Sequence, residues 1–523
     1  MGHIKESFSS GISFQYIFVS SMFLSSSIFY FLLAHLLPVN TVGSISLLYA
    51  IIGIATSIFV FGLGYGIQHY FSYHLTRNDD AILVKLIEKT VIFAFLLSIV
   101  AFIVLYYSSN FIAVTFFHNI YYGLYIKIIA LAISGTVIIN IFASMLLGLN
   151  QYKKYSIIYI FVYIFTYFFP LSLLVIYGKP IYLVIGIAVI NVISAAIFGL
   201  FVFKYYRMID STTGINETEP YRNIIYYSIP LFFSSVIGTS ATYIDRIVVS
   251  YFVNLSYLGI YNFALIISGA APLLVSPVFN LLLPKLSAFF SLDNKSAFRS
   301  SIRILLNMVS LIYIPSALGI AALSRQILDV FAGIVYVQAY IPLMLIMFVT
   351  SLFIGGTILT SGISSIRQTR IYIISSSLSL VSNLILSIIL IPRFSIIGAA
   401  ISYSSMTAVN FAVIYYYARK FGITNYDGFR ILKIWMASLI MFGMVFLLQS
   451  RMPYGILSIL LCVLFGFIIY VGEIKAFRLI NTEEMGYALS VLPDRFSLIK
   501  HILGGLAYRE QLGTGDKKLR AYK

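Results

Sequence analysis

Charge is what this chain has least of: Asp, Glu, Lys and Arg make up 10% of its 523 residues, whereas 60% are hydrophobic. A soluble domain carries about 25% charged residues, so a mean hydropathy of +0.98 excludes an ordinary soluble globule. Cysteine is nearly absent. The single Cys462 lies inside an apolar run, which leaves neither a disulfide framework nor a thiolate metal cluster. The six histidines are scattered, with only His69 and His74 five apart, so no metal site and no cofactor are expected. No GxxxxGK[ST] stretch occurs, which argues against ATP use by this chain. Acidic residues are also missing from the longest outer loop, Ser109 to Tyr121. A membrane glycosyltransferase or polymerase needs carboxylates or a metal-holding acidic pair facing its substrate. The chain is therefore expected not to be an enzyme.

What the chain does have is apolar runs long enough to cross a bilayer, and helices are the open-chain form that satisfies its own backbone in lipid. Fourteen such runs can be drawn, at 11–36, 42–69, 88–108, 122–148, 155–177, 181–203, 224–252, 257–283, 302–324, 336–360, 371–391, 395–417, 431–449 and 454–472. The first follows only MGHIKES, is too long for a signal-peptide core and is expected to be retained. Most of the 34 Lys and Arg fall in alternate loops, which places those loops and both termini in the cytoplasm of a cell membrane. The net charge of +17 then reads as a basic face toward anionic headgroups, with membrane lipids and not nucleic acid as partners.

An internal repeat is visible. VGSISLLYAIIGIA from Val42 lines up with LGIYNFALIISGAA from Leu258, so that Gly43 and Gly53 fall on Gly259 and Gly269. GLNQYKK from Gly148 pairs with GISSIRQ from Gly362, and IGIAVI from Ile185 with IGAAIS from Ile397. The copies are separated by an even number of helices and so share one orientation. The expected fold is an all-α polytopic membrane protein of about 14 transmembrane helices, with two parallel-repeat six-helix lobes plus two C-terminal helices. Its parts are an N-terminal lobe at 1–203, a cytoplasmic linker at 204–223, a C-terminal lobe at 224–417, helices 13 and 14 at 418–472, and a cytoplasmic amphipathic and basic tail at 473–523. FGLGYG from Phe61 superficially has the glycines of a phosphate loop, but inside the second run it reads as close packing or bending.

Between Ile224 and Pro284 the charged residues are Asp245 and Arg246. An ionised side chain in a membrane helix costs roughly 2.5–3.5 kcal/mol on insertion scales, so it faces a partner or a wet cavity. Neighbours on a helix point about 100° apart and cannot simply neutralise each other. Two readings stand side by side. In one, Arg246 and the similarly placed Lys127 snorkel to outer headgroups while Asp245 latches to a cation of another helix. In the other, Lys127 and Arg246 attract an anionic substrate such as a lipid phosphate, and Asp245 couples an ion. Arg325 and Asp329 read as a solvated interfacial pair, and Gln15, Asn140, Asn262 and Asn410 as interhelical or lumen-lining polar groups.

IPLFFSSVIGTSATYIDRIVVSYFVNLSYLGIYNFALII, followed by LLLPKLSAFF, resembles the start of the second lobe in polysaccharide and O-antigen flippases. These belong to the multidrug/oligosaccharidyl-lipid/polysaccharide (MOP) exporter superfamily. The carrying features are Asp245 before the outer loop, LGIYNFA from Leu258 and Pro284, with the helix count and the repeat extending the likeness over residues 11 to about 472. The resemblance implies a V-shaped pair of bundles that alternates access and moves a lipid-linked oligosaccharide from the cytoplasmic to the outer leaflet. It also implies a cationic central cavity, for which Lys127 and Arg246 are the candidates. Residues 11–36 contain no charged residue, unlike the arginine-bearing first helix of peptidoglycan-precursor flippases or the acidic one of cation-coupled drug exporters. The alternatives are a cation-coupled multidrug antiporter, a polysaccharide polymerase or glycosyltransferase, and a non-transporting scaffold. A monomer is expected, with glycan-assembly enzymes as possible partners.

Overall fold

The structure is a computed structural model that describes residues 8–77, 79–209, 221–275, 295–366, 368, 370–424 and 427–480. Among these every regular element is helical. In chain order they are α1 (Phe8–Leu36), α2 (Val39–Phe59), α3 (Leu63–Arg77), α4 (Asp80–Phe117), α5 (Tyr122–Gly148), α6 (Tyr152–Tyr177), α7 (Pro180–Tyr206), α8 (Tyr221–Phe252) and α9 (Leu255–Ser268). There follow α10 (Lys295–Ala322), α11 (Ser324–Ala332), a 3-10 turn (Ile334–Ala339), α12 (Tyr340–Leu352), α13 (Gly355–Ser365), α14 (Arg370–Lys420), α15 (Gly428–Gln449) and α16 (Ile456–Ala476).

Thirteen helical segments among the described residues are long and apolar enough to span a bilayer. One of them, α14, crosses twice. Its backbone leaves the helical region at Ser395, with φ 52° and ψ −130°. On either side of that point Ser379 Oγ donates to Met406 O at 3.2 Å, Ser382 and Ser405 hydroxyls meet at 3.1 Å, and Asn410 Nδ2 donates to Ser375 Oγ at 2.8 Å. Such pairs meet only if the chain reverses, so α14 is a hairpin whose arms correspond to the runs at 371–391 and 395–417. Pro392, which removes a backbone donor, lies just before the reversal. The crossings come to fourteen, as the apolar runs require.

Two runs are not continuous helices. The run at 42–69 stops at Phe59 and resumes at Leu63, because Phe61 (φ 53°) and Gly62 (φ 64°) adopt left-handed backbone. FGLGYG is thus a break in a membrane helix, and the break abuts α8: a Cβ on Gly62 would stand 2.6 Å from the Phe232 nitrogen. The run at 336–360 is likewise divided, into the 3-10 turn, α12 and α13. The expected amphipathic tail beyond residue 480, the centre of the 204–223 linker and Pro284 lie outside the described residues.

Within lipid, apolar side chains gain little by meeting each other, and helices associate where small residues let backbones approach. The clearest case is α2 against α9. An ideal Cβ on Gly43 would lie 1.7 Å from Leu255 O, and one on Gly259 2.5 Å from Val39 O. The two glycines aligned by the repeat therefore sit on one another. Successive crossings alternate direction, so α3, α5 and α7 end, and α6 and α8 begin, at one face of the bundle. This face carries Arg77, Lys153, Lys154, Lys204, Arg207 and Arg222 and is called the basic end below; the Gly43–Gly259 crossing is at the opposite end.

Candidate functional site

The site is built on α8, whose sequence is apolar enough to cross a membrane yet carries Asp245 and Arg246 about two turns from its opposite-end terminus. The two adjacent residues part company. Asp245 is fully buried, and its Oδ2 accepts a 2.6 Å hydrogen bond from the Tyr261 hydroxyl of α9. Tyr261 is itself fully buried, and its hydroxyl reaches Ala399 O at 3.4 Å. Asp245 Oδ1 has no hydrogen-bond partner. Its side-chain partner is thus a tyrosine rather than a cation from another helix.

Arg246 is only half-buried. Its guanidinium lies over the Tyr243 ring, 4.7 Å from the centroid, a cation–π geometry. Tyr30 of α1, Tyr261 and Tyr403 are also within electrostatic reach of the guanidinium. Nε of Arg246 has no hydrogen-bond partner. Tyr30 in turn stands 6.3 Å from Tyr49, which is 6.0 Å from Tyr167 of α6. The tyrosines around this cation therefore come from α1, α8, α9 and the α14 hairpin, with Tyr49 of α2 and Tyr167 of α6 standing behind Tyr30. Arg246 and Tyr30 are 216 residues apart, the same offset as Gly43 and Gly259.

Lys127 is elsewhere. It lies in α5, half-buried, with its ammonium 5.3 Å from the centroid of Tyr106 on α4. Nothing in the described contacts joins it to Arg246. Arg325 stacks on Tyr340 at 4.1 Å and forms no ion pair with Asp329, so that expected pair is absent. Asn410 bridges the α14 arms, whereas Asn140 is exposed on a helix that is otherwise mostly buried.

Two cavities open beside α3 toward the basic end. The larger, of about 860 Å³, is lined by Tyr65, Gln68, Ser72, Arg77, Tyr152 and Tyr227 among others. The smaller, of about 250 Å³, shares Tyr65, Gln68 and Leu147 with it and adds Asn140, Ser144, Tyr155, Tyr159 and Ser235. His69 stacks on Tyr227 across the α3–α8 contact at 4.7 Å with 7° between planes. Composition alone left open which of 41 tyrosines face a cavity. One signal was present: Tyr155, Tyr159, Tyr163 and Tyr167 recur every fourth residue. A buried acid was also missed, because Glu473 lies one residue past the last apolar run; α16 continues to Ala476, and neither Glu473 oxygen has a hydrogen-bond partner.

This fold is that of the MOP superfamily transporters. The chain overlays the lipid II flippase MurJ in an inward closed conformation with a TM-score of 0.60 at 16% identity, covering 83% of this chain and 98% of that one. An inward-facing multidrug-resistance MATE transporter of the MOP superfamily gives 0.65 at 12% identity, over 78% and 96%. At such identities the likeness is one of fold. By sequence, residues 12–290 match the polysaccharide biosynthesis protein family, and the chain belongs to that family. It is 24% identical over 250 residues to a probable low-salt glycan biosynthesis flippase of Haloferax volcanii, 48% of this chain and 53% of the relative. It is 29% identical over 225 residues to a capsular polysaccharide biosynthesis protein of Staphylococcus aureus, 42% and 54%. The matched part thus spans about half the length of these curated relatives.

Proposed function

We propose that this membrane protein is a flippase that moves a lipid-linked oligosaccharide from the cytoplasmic to the outer leaflet by alternating access, without a chemical step of its own. The observation that carries the reading is Arg246, a half-buried cation about two turns inside a membrane helix among tyrosines of four helices. A cation in lipid is costly, and a polyphosphate or phosphate-linked lipid gives it an anionic partner with which to form charge-assisted hydrogen bonds. Tyrosine rings supply flat apolar faces with a polar rim, as a sugar requires. Membership of the polysaccharide biosynthesis family and the glycan flippase among its relatives point the same way.

In this reading 1–203 and 224–417 are two six-helix lobes, with the basic end in the cytoplasm. Contacts between residues 216 apart, Gly43 with Gly259 and Tyr30 near Arg246, support a pseudo-two-fold axis between the lobes. Arg246 is the phosphate-binding residue, Asp245 the residue that fixes α8 to α9 and the candidate for ion coupling, and Lys127, apart from both on the Tyr106 ring, a peripheral cation. Alternating access would part the glycine crossing, closed in this conformation, as the basic end closes.

The test is complementation in a host that lacks its own oligosaccharide flippase and supplies a matched substrate. Wild-type protein restores surface glycan and equally abundant Arg246→Ala restores less than a tenth of it. Full rescue by Arg246→Ala would return Arg246 to a structural role, and rescue of drug resistance in place of glycan export would favour the antiporter.

A further inference from the structure

α6 carries a tyrosine at every fourth position from Tyr155 to Tyr167. A four-residue step turns a helix by only about 40° beyond a full turn and rises about 6 Å, so these rings form a slowly winding ladder some 18 Å long. The first three rings are in contact, Tyr155 and Tyr159 with centroids 4.7 Å apart and Tyr159 and Tyr163 stacked at 5.7 Å, and Tyr167 lies within electrostatic reach of Tyr163. The lower rungs, Tyr155 and Tyr159, line the smaller cavity at the basic end. Tyr163 and Tyr167 come near Tyr243, the ring beneath Arg246. The ladder thus joins the basic-end cavities to the cation.

Membrane tyrosines belong to the headgroup belts, where the hydroxyl meets water. Tyr159, Tyr163 and Tyr167 stand instead at mid-helix, each keeping part of its surface accessible though surrounded by protein. They face an internal space rather than lipid. Across the smaller cavity stand Asn140 and Ser144 of α5 and Ser235 of α8. Asn140 is exposed about two turns inside α5 from its basic-end terminus, with Nδ2 donating to Thr136 O at 2.8 Å, and turning such an amide toward hydrocarbon would be costly. The lining therefore combines aromatic faces with amide and hydroxyl groups, a mixture suited to rings that are apolar on their faces and hydroxylated at their edges.

We infer that the Tyr155–Tyr159–Tyr163–Tyr167 ladder is a saccharide track, on which the glycan of the substrate stacks unit by unit between the basic-end cavity and Arg246. The inference rests on the flippase reading and adds to it where the sugar chain, as distinct from the phosphate, is held. One rung is about as long as one sugar unit, so a longer glycan uses more rungs.

The test is transport in proteoliposomes of the purified full chain, using a diphosphate-linked lipid that carries either one sugar or five. Tyr159→Ala/Tyr163→Ala is expected to slow the five-sugar substrate about tenfold and the one-sugar substrate by no more than about twofold. Tyr159→Leu/Tyr163→Leu keeps more of the volume than Ala and removes the aromatic faces; it gives the same selective loss and covers the case in which the Ala variant fails to fold. Tyr159→Phe/Tyr163→Phe keeps the stacking faces and recovers at least half of the five-sugar rate. Equal loss on both substrates, or no loss on either, would overturn the track while leaving the flippase intact. Absence of wild-type transport of both substrates would sink the flippase reading and the track with it.

Discussion

Where the first and second halves of the chain meet, two of the contacts differ in character. At the opposite end α2 and α9 touch backbone to backbone through Gly43 and Gly259, and there is no room for even one methyl group. Beside this crossing the Asp245–Tyr261 bond is fully buried, and His118 of the α4 terminus reaches Ser250 O of α8 at 3.1 Å. Toward the basic end, α3 meets α8 through His69 on Tyr227 and Phe61 on Phe232, with cavities of about 860 and 250 Å³ alongside. Helix α8 contains Pro230 and α2 gives way to α3 at this level. Backbone contact leaves nothing to rearrange, whereas side chains around a cavity can repack. In this conformation the glycine crossing is the closed seam, and on the proposed reading the α3–α8 contact is where the bundle opens toward the basic end.

The comparison can be broken hardest at Gly43. Gly43→Leu puts a branched side chain where a Cβ alone would be 1.7 Å from Leu255 O, so α2 and α9 must separate. Overpacking costs about 3 kcal/mol at the upper end of its usual range, and a thermal-unfolding scan in detergent should show the largest fall in Tm of any variant named here. Next comes Tyr261→Phe, which removes the hydrogen-bond donor to the buried Asp245. Leaving such a group unsatisfied costs about 1–3 kcal/mol, and the double variant Asp245→Asn/Tyr261→Phe should recover part of the lost thermal stability.

Gly62→Ala sharpens the contrast rather than breaking it. A residue with a Cβ pays about 1–2 kcal/mol for left-handed backbone, and this one also meets the Phe232 nitrogen. If the α3–α8 contact is where the bundle moves, the transport rate should fall by a larger factor than the folded yield, which paired flux and size-exclusion measurements would show. Lys127→Gln has the smallest effect. Its recorded contact is a single ring, worth about 0.5–1 kcal/mol at an exposed site. A transport rate within about twofold of wild type is expected from the vesicle assay, and a loss as great as that of Arg246→Ala would bring Lys127 back into the central site.

The number of crossings was legible because hydropathy over some twenty residues is set by the bilayer itself. The hairpin at Ser395 could be read because Pro392 and Arg393 interrupt two apolar runs. The break at Phe61 could not, since Phe61 and its neighbours are as apolar as any helix and the left-handed turn is fixed by contact with α8. Asp245 and Arg246 were conspicuous by charge, but their different fates depend on which neighbour faces each. Tyr261, which holds Asp245, is one tyrosine among 41 and stands out only when α9 is placed against α8. Lys127 carries the same charge signal as Arg246, yet it faces Tyr106, because helix rotation, not depth, decides what a side chain meets.

The central claim is that Arg246 serves the passage of a lipid-linked glycan across the membrane. The most direct measurement is the rate at which such a lipid, enclosed in the inner leaflet of vesicles containing purified protein, becomes accessible to a glycan-cleaving enzyme outside. The account predicts that wild type accelerates exposure over protein-free vesicles, that Arg246→Lys retains a part of the acceleration and that Arg246→Ala loses at least nine-tenths of it. Equal rates for wild type and Arg246→Ala, at equal folded protein, would contradict it.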